Sequence, residues 1–235
     1  MPYYNIAGLC VSYDAAYPTL RERSEKYICD PSDDAASFTV LPAEIDDMRS
    51  YTPLLTDDLR EYMIMGRYFY EHLIAQGGMM LHASAVVVDG EAYLFSAPSG
   101  TGKSTHTSIW VRRFPGAYIL NDDKPALCFD GEHVLAAGTP FSGKYDISVN
   151  CSVPLRAIAF IERSDTNRIE PIPEKRALFE LINQTVRPAS VELYTKLLHN
   201  TAAILAKTPI YKLYCNMEDE AADVAFETMR KGEKA

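Results

Sequence analysis

The apolar positions change rhythm along the chain. Over the first 55 residues they come as short runs, YNIAGLCVSYD and SFTVLP, separated by a polar, acidic stretch around Asp30 to Asp34. This patterning predicts short strands in a small sheet. From about Asp58 the spacing is helical and carries Leu59, Tyr62, Met63, Phe69 and Leu73. Asp58 and Glu61 stand at capping-box spacing at its start, and Gly77-Gly78 stops it.

From Leu81 the pattern turns β-rich. LHASAVVVDGEAYLFSA is two runs joined by Asp89-Gly90, a strong two-residue hairpin signal. The second run feeds a glycine-bearing loop, and a helix follows from about Lys103 to Val111. Phe114-Pro115-Gly116 breaks the chain before AYILNDD, an apolar strand ending in carboxylates. Asp130-Gly131 joins PALCFD to HVLAAGT in a second hairpin, and LRAIAFIER is one more strand. Helical patterns follow at about Glu174 to Val186, Ser190 to Lys207 and Glu218 to Lys231, with the strand IYKLYC between the last two. The order predicts an α/β fold whose sheet is mixed rather than purely parallel. With 235 residues and no internal repeat, we expect a small N-terminal β-rich appendage over residues 1–57 and one core over 58–235.

Composition narrows the function. A hydrophobic fraction of 47% with 23% charged residues is that of a soluble globular protein. The net charge of -9, with no Lys/Arg run beyond pairs such as Arg112-Arg113, argues against a nucleic-acid surface but leaves room for one basic phosphate pocket. The five cysteines are odd in number and scattered, which predicts reduced, mostly core thiols. No signal-peptide pattern opens the chain and no segment reaches membrane-spanning length, so a cytoplasmic protein is expected.

The candidate chemistry sits in SAPSGTGKSTHTSIW, from Ser96 to Trp110. It matches the phosphate-loop pattern G-x-x-x-x-G-K-[ST], with Ala97 in place of the first glycine. Gly100 and Gly102 let backbone N–H groups turn inward, and the helix from Lys103 points its positive end at the same spot. In this reading Lys103 reaches the β- and γ-phosphates and Ser104 ligates Mg²⁺, with Ser99, Gly100, Thr101, Gly102 and Thr105 completing the nucleotide contacts. A glycine turn that merely connects strand to helix is the plainer alternative. The strand before, the helix after and the carboxylates downstream favour the nucleotide site.

Asp122 and Asp123 end their strand where one acid can hold a magnesium shell while the other takes a proton. Adjacent strand residues face opposite sides, so the two differ in role unless the chain turns there. His82 is either a satisfied core histidine or a group that orients or protonates near a transferred phosphoryl. In GTPFSGKYD, Lys144 is a candidate for a second phosphate clamp, against a reading as plain turn residues. His106 reads as a surface or core residue, with a place near the site as the alternative, and Trp110 and Tyr68 to Tyr70 read as core packing, with one aromatic a candidate to stack on adenine.

LHASAVVVDGEAYLFSAPSGTGKST resembles the core of HPr kinase/phosphorylase, in which a histidine, a hairpin, a phosphate loop and a downstream Asp-Asp follow in this order. That core is shared with the C-terminal part of phosphoenolpyruvate carboxykinases. The resemblance covers roughly Leu81 to Glu162. It implies a P-loop kinase core in which Lys103 and Ser104 bind phosphate and Mg²⁺. It also implies that Asp122 and Asp123 supply the acid/base and a metal contact, with His82 beside them. The chain departs from the family at AAGTPFSGKYDIS and over its N-terminal part. It is therefore similar to the broad HPr-kinase-related group of small kinases, not to the regulator itself.

These readings combine in an ATP-dependent (or GTP-dependent) kinase. It would transfer the γ-phosphate to a hydroxyl, on the resemblance a serine of a small protein or peptide. Catalysis would fall to Asp122, Asp123, His82 and Lys103, and the metal to Ser104 and Asp122. The alternatives are a nucleotide-sensing module without turnover and a small-molecule kinase. No nucleic-acid or membrane partner is expected, and a homo-oligomer is compatible with the chain.

Overall fold

A computed structural model describes residues 1–232; the last three residues assigned to the expected core, 233–235, lie outside the described residues. Strands β1 (Tyr3–Ile6) and β2 (Leu9–Ser12) form a hairpin through Ala7 and Gly8, both at positive φ. Helix α1 (Pro18–Ser24) and a 3-10 turn (Glu25–Tyr27) lead to β3 (Ile28–Cys29), and β4 (Ala36–Ser37) completes a four-stranded sheet in the order β3-β1-β2-β4. Of the expected strand SFTVLP only Ser37 lies in a strand. Pro42 instead starts a helix, α2 (Pro42–Tyr51), because proline is pre-set for a first helical turn.

Helix α3 (Asp57–Ala75) begins a residue before the expected start, and its cap is Thr56, whose hydroxyl accepts from the Leu59 N–H. The presumed capping pair does a different job. Glu61 accepts from the N–H groups of Ala16 and Tyr17 at 2.7 and 3.0 Å, and Asp58 accepts from Thr19 N–H at 2.9 Å. The two carboxylates thus close the open end of α1, whose own cap residue Tyr17 has no side-chain bond to offer.

The larger sheet has nine strands: β5 (Met79–Met80), β6 (Ala83–Val88), β7 (Glu91–Ser96), β8 (Tyr118–Asn121), β9 (Ala126–Asp130), β10 (His133–Ala137), β11 (Ser152–Arg163), β12 (Arg168–Pro171) and β13 (Ile210–Cys215). Helix α4 (Lys103–Arg113) follows β7, and α5 (Glu174–Asn183), α6 (Val191–Lys207) and α7 (Glu220–Met229) come late in the chain. The path β5-β9-β10-β11-β7-β6-β8 mixes antiparallel pairs with the parallel pair β11–β7, and β11 also runs parallel to β13. The chain is thus a mixed α/β protein with a mixed sheet. Asp89 and Gly90 both take positive φ, 53° and 80°, as a tight two-residue hairpin needs.

The central strands bury both faces, which explains why LHASAVVV and EAYLFSA read as near-continuous apolar runs. Ala85, Val87, Leu94, Ile158 and Phe160 face a core shared with Phe69, Leu73, Leu181 and Ile204 of α3, α5 and α6. Their neighbours Val86, Val88, Phe95, Ala159 and Ile161 face the other way, against Ile109 and Trp110 of α4 and Ala221 and Ala225 of α7. Tyr4, Ile6, Val11 and Leu20 of the first 55 residues belong to the first of these cores. All five cysteines are free. Against the expected core placement, only Cys215 is buried; Cys10, Cys29, Cys128 and Cys151 are half-buried. No helix among the described residues is long and apolar enough to cross a membrane.

Candidate active site

Strand β7 delivers the chain into the loop at Ala97, which is buried and needs no left-handed backbone. The turn is made three residues on, where Gly100 and Gly102 take φ of 78° and 123°. No atom stands within 4 Å of a Cβ placed on either, so backbone conformation, not crowding, favours glycine there. Gly102 precedes the first residue of α4, so the free N–H groups of that helix face the loop. Arg163, at the end of β11, fixes the loop from outside by donating to the carbonyls of Gly100 at 2.5 Å and Thr101 at 3.0 Å.

Lys103 is buried, and its Nζ donates to the Ala97 carbonyl at 2.9 Å. Burial holds its pKa below the usual lysine value, while the charges of Asp123 and Asp122 pull it back up. The ammonium therefore sits at the base of the loop in the field of two carboxylates.

Those carboxylates come from the end of β8, beyond β6. Asn121, fully buried, bends the chain there. Its Oδ1 accepts from the N–H groups of Asp123 at 3.0 Å and Lys124 at 2.8 Å, and its Nδ2 donates to the Thr139 carbonyl at 2.9 Å. Because of this bend, Asp122 and Asp123 line the same cleft instead of facing opposite ways. Asp122 Oδ1 accepts from the buried Ser84 hydroxyl at 2.7 Å, and Ser84 is itself 2.8 Å from Thr107 on α4. Asp123 is ion-paired with Lys124 and lies 3.4 Å from His82 Nε2. His82 Nδ1 lies 3.1 Å from Gln184 Oε1. Burial lowers the His82 pKa, Lys103 adds to this, and Asp123 opposes it.

The loop after β10 closes the third side. Gly138 has no room for a side chain, since a Cβ there would meet the Val149 carbonyl at 1.9 Å. Gly143 packs against Asp122, whose carbonyl would stand 3.2 Å from a Cβ. Lys144 and Tyr145 project at its tip, both exposed. The first residues of the chain hold this loop: Arg23 donates to the Ser142 carbonyl at 2.9 Å, and Lys26 lies 3.6 Å from Asp146.

The resulting cleft measures about 320 Å³. It gathers His82, Ser99, Gly100, Gly102, Lys103, Ser104, Thr105, Asp122, Asp123 and Lys144, which are the sequence-derived candidates except Thr101. Thr101 opens instead on an adjoining cavity of about 530 Å³ on the other flank of the loop, floored by Ile109, Ile161 and Met217. Sequence reasoning missed Ser84, Thr107, Asn121, Gly143, Arg163 and Gln184. Asn121 stood beside the aspartates as a polar residue closing an apolar strand, and Gly143 beside Lys144. Arg163 and Gln184 come from segments far along the chain and carry no local signal. His106 is a packing residue: its Nε2 accepts from Trp110 Nε1 at 3.0 Å, and burial lowers its pKa to about 4.

The profile of the family described as SynChlorMet cassette protein ScmC matches residues 56–223, from the cap of α3 into α7. The chain belongs to this ScmC family. Among solved structures, the Hpr(Ser) kinase/phosphatase from Coxiella burnetii is similar at 13% identity and a TM-score of 0.35, over 65% of this chain and 94% of that one. No curated protein matches the sequence.

Proposed function

We propose that this chain is an ATP-dependent phosphotransferase that moves the γ-phosphate of a nucleoside triphosphate to a hydroxyl. One observation carries the reading. The buried Lys103 ammonium, at the foot of a glycine loop opening a helix, shares a cleft with two carboxylates from a different strand. A buried cation bonded to a single loop carbonyl has donors to spare for an anion. Loop amides and the α4 dipole add to the attraction. The adjoining 530 Å³ cavity, apolar at its floor, has the size and character to take the base and sugar.

Magnesium fits the donors present. Ser104 and Asp122 are hard oxygen ligands, and magnesium uses one or two carboxylates together with substrate phosphates. Among the described residues no cluster of three or more His, Cys, Asp or Glu offers an all-protein cage. Held by Ser104 and Asp122, the ion would neutralise charge on the β- and γ-phosphates.

The neighbours of the two aspartates divide their roles. Asp122 is held by Ser84, which is bonded to α4 through Thr107, and so belongs to the phosphate side. Asp123 faces His82 and also lines the cleft beyond it, away from the loop, and so belongs to the acceptor side. In transfer, the acceptor oxygen bonds to the γ-phosphorus as the bond to the β,γ-bridging oxygen breaks. ADP leaves, and the hydroxyl proton passes to Asp123. His82 orients that carboxylate. Lys103 and Lys144 bear on the charge that develops on the phosphoryl oxygens.

The test is incubation with γ-labelled ATP, magnesium and hydroxyl-bearing acceptors. Lys103→Ala should abolish labelling, and Asp123→Asn should lower it roughly a hundredfold while sparing ATP uptake. Wild-type rates in Asp123→Asn would remove the assigned chemistry.

A further inference from the structure

A second concavity lies beside the candidate active site. It measures about 540 Å³, within the range of ligand pockets, and is lined by Met48, Tyr51, Tyr62, Met63, Phe141 and Val186. It sits between α2, α3 and the loop after β10. Large apolar side chains stand exposed around it: Tyr51 at 67%, Met63 at 48% and Val186 at 49%. Charged residues line it too: Arg67 is paired with Glu44 and Lys124 with Asp123, and Asp47 stands at its edge.

Between this pocket and the phosphate cleft lies a third concavity of about 300 Å³ that shares lining residues with each. Tyr70, Met80, Lys124 and Val186 line both the apolar pocket and this middle stretch. His82 and Asp123 line both the middle stretch and the phosphate cleft. The middle stretch also presents Asn183, Gln184 and Thr185, an amide- and hydroxyl-rich wall. One loop separates the two ends. Phe141 faces the apolar pocket while Gly143, Lys144 and Tyr145 face the phosphate cleft. Tyr62 fixes that loop, its hydroxyl donating toward the Ser142 carbonyl at 3.0 Å. Gly66 lets the Phe141 ring lie on α3, since a Cβ there would meet the ring at 3.2 Å.

Resting on the kinase reading, we propose that the three concavities form one acceptor channel whose occupant is an extended peptide segment. Its hydroxyl residue lies at Asp123, and a large apolar side chain of the same segment fills the pocket of Met48, Tyr51, Met63 and Phe141. A small hydroxylated compound confined to the phosphate cleft would leave the apolar pocket unused. An extended chain covers about 3.3 Å per residue and carries donors and acceptors that match Asn183, Gln184 and Thr185. The channel thus reads a spacing between hydroxyl and apolar anchor.

The probe is a set of synthetic serine peptides in an otherwise Gly/Ala/Lys background, each with one phenylalanine placed one to four positions to either side. With γ-labelled ATP, one offset should raise kcat/KM about tenfold or more over the phenylalanine-free peptide, the worth of burying one large side chain. Met63→Glu and Tyr51→Glu, both at exposed positions, should raise KM for that peptide about tenfold and erase the preference. Val191→Glu, on α6 at 83% exposure, should change neither. Labelling indifferent to phenylalanine, a preference untouched by both variants, or transfer only to small hydroxylated compounds overturns the channel. Calorimetry with ATP on the same samples separates the causes. Uptake without the preference sinks the channel alone, and no uptake sinks the kinase reading with it.

Discussion

Asn121→Ala tests the device that turns two neighbouring aspartates into one cleft. The side chain is fully buried and makes its main bonds to backbone: Oδ1 takes the N–H groups of Asp123 and Lys124, and Nδ2 donates to the Thr139 carbonyl. Truncation leaves all three backbone groups without this partner. Asp123 and Lys124 are half-buried, so water reaches their N–H groups in part and each costs about 1 kcal/mol. Thr139 is fully buried, so its carbonyl costs about 1–3 kcal/mol. The sum, roughly 3–5 kcal/mol, is a large share of a typical domain's stability. Urea unfolding followed by the fluorescence of the single, buried tryptophan, Trp110, measures it. Phosphoryl transfer by the fraction that stays folded should also fall, since Asp122 and Asp123 lose their shared orientation. A loss below about 1 kcal/mol with full transfer would show that the bend is held by something other than Asn121.

Two more outcomes follow from the same geometry. His106 is neutral and buried with a folded-state pKa of about 4 against an ordinary 6.5. The unfolded chain therefore binds the proton first, and the stability difference is full above pH 6.5 and lost as pH falls toward 4. Unfolding at pH 7 and pH 4 should differ by roughly 3 kcal/mol more in wild type than in His106→Gln, and equal differences would refute this. Gly102→Ala puts a side chain into open space but at φ 123°, so it should cost about 1–3 kcal/mol of backbone strain and weaken ATP uptake about tenfold or more. Unchanged uptake would mean that the loop does not need this shape.

Much of the fold was legible where one local signal was enough. Asp89-Gly90 announced its hairpin, Gly77-Gly78 ended α3, and the apolar runs of β6, β7 and β11 marked strands. What failed was long-range. Asp58 and Glu61 have capping-box spacing, yet their partners are N–H groups at and just before the start of α1, some forty residues earlier, which no local pattern reveals. Helices α1 and α2 were missed because each is short and begins at a proline inside a stretch that reads as turns and strands. At the site, residue types and order pointed to Lys103, Ser104 and the aspartates. The middle of the channel was not anticipated: Tyr70 read only as packing, and Gln184 and Lys124 acquire meaning only when α3, β8 and α5 meet.

The account turns on one property of the loop from Ala97 to Ser104: that it closes on the phosphates of a nucleotide. Isothermal calorimetry of the folded protein with ATP, with and without magnesium, measures this without reference to any acceptor. The account predicts one saturable site, strengthened by magnesium and lost or greatly weakened in Lys103→Ala. No heat of binding with either ATP or GTP, from protein whose Trp110 fluorescence reports the native fold, would contradict it.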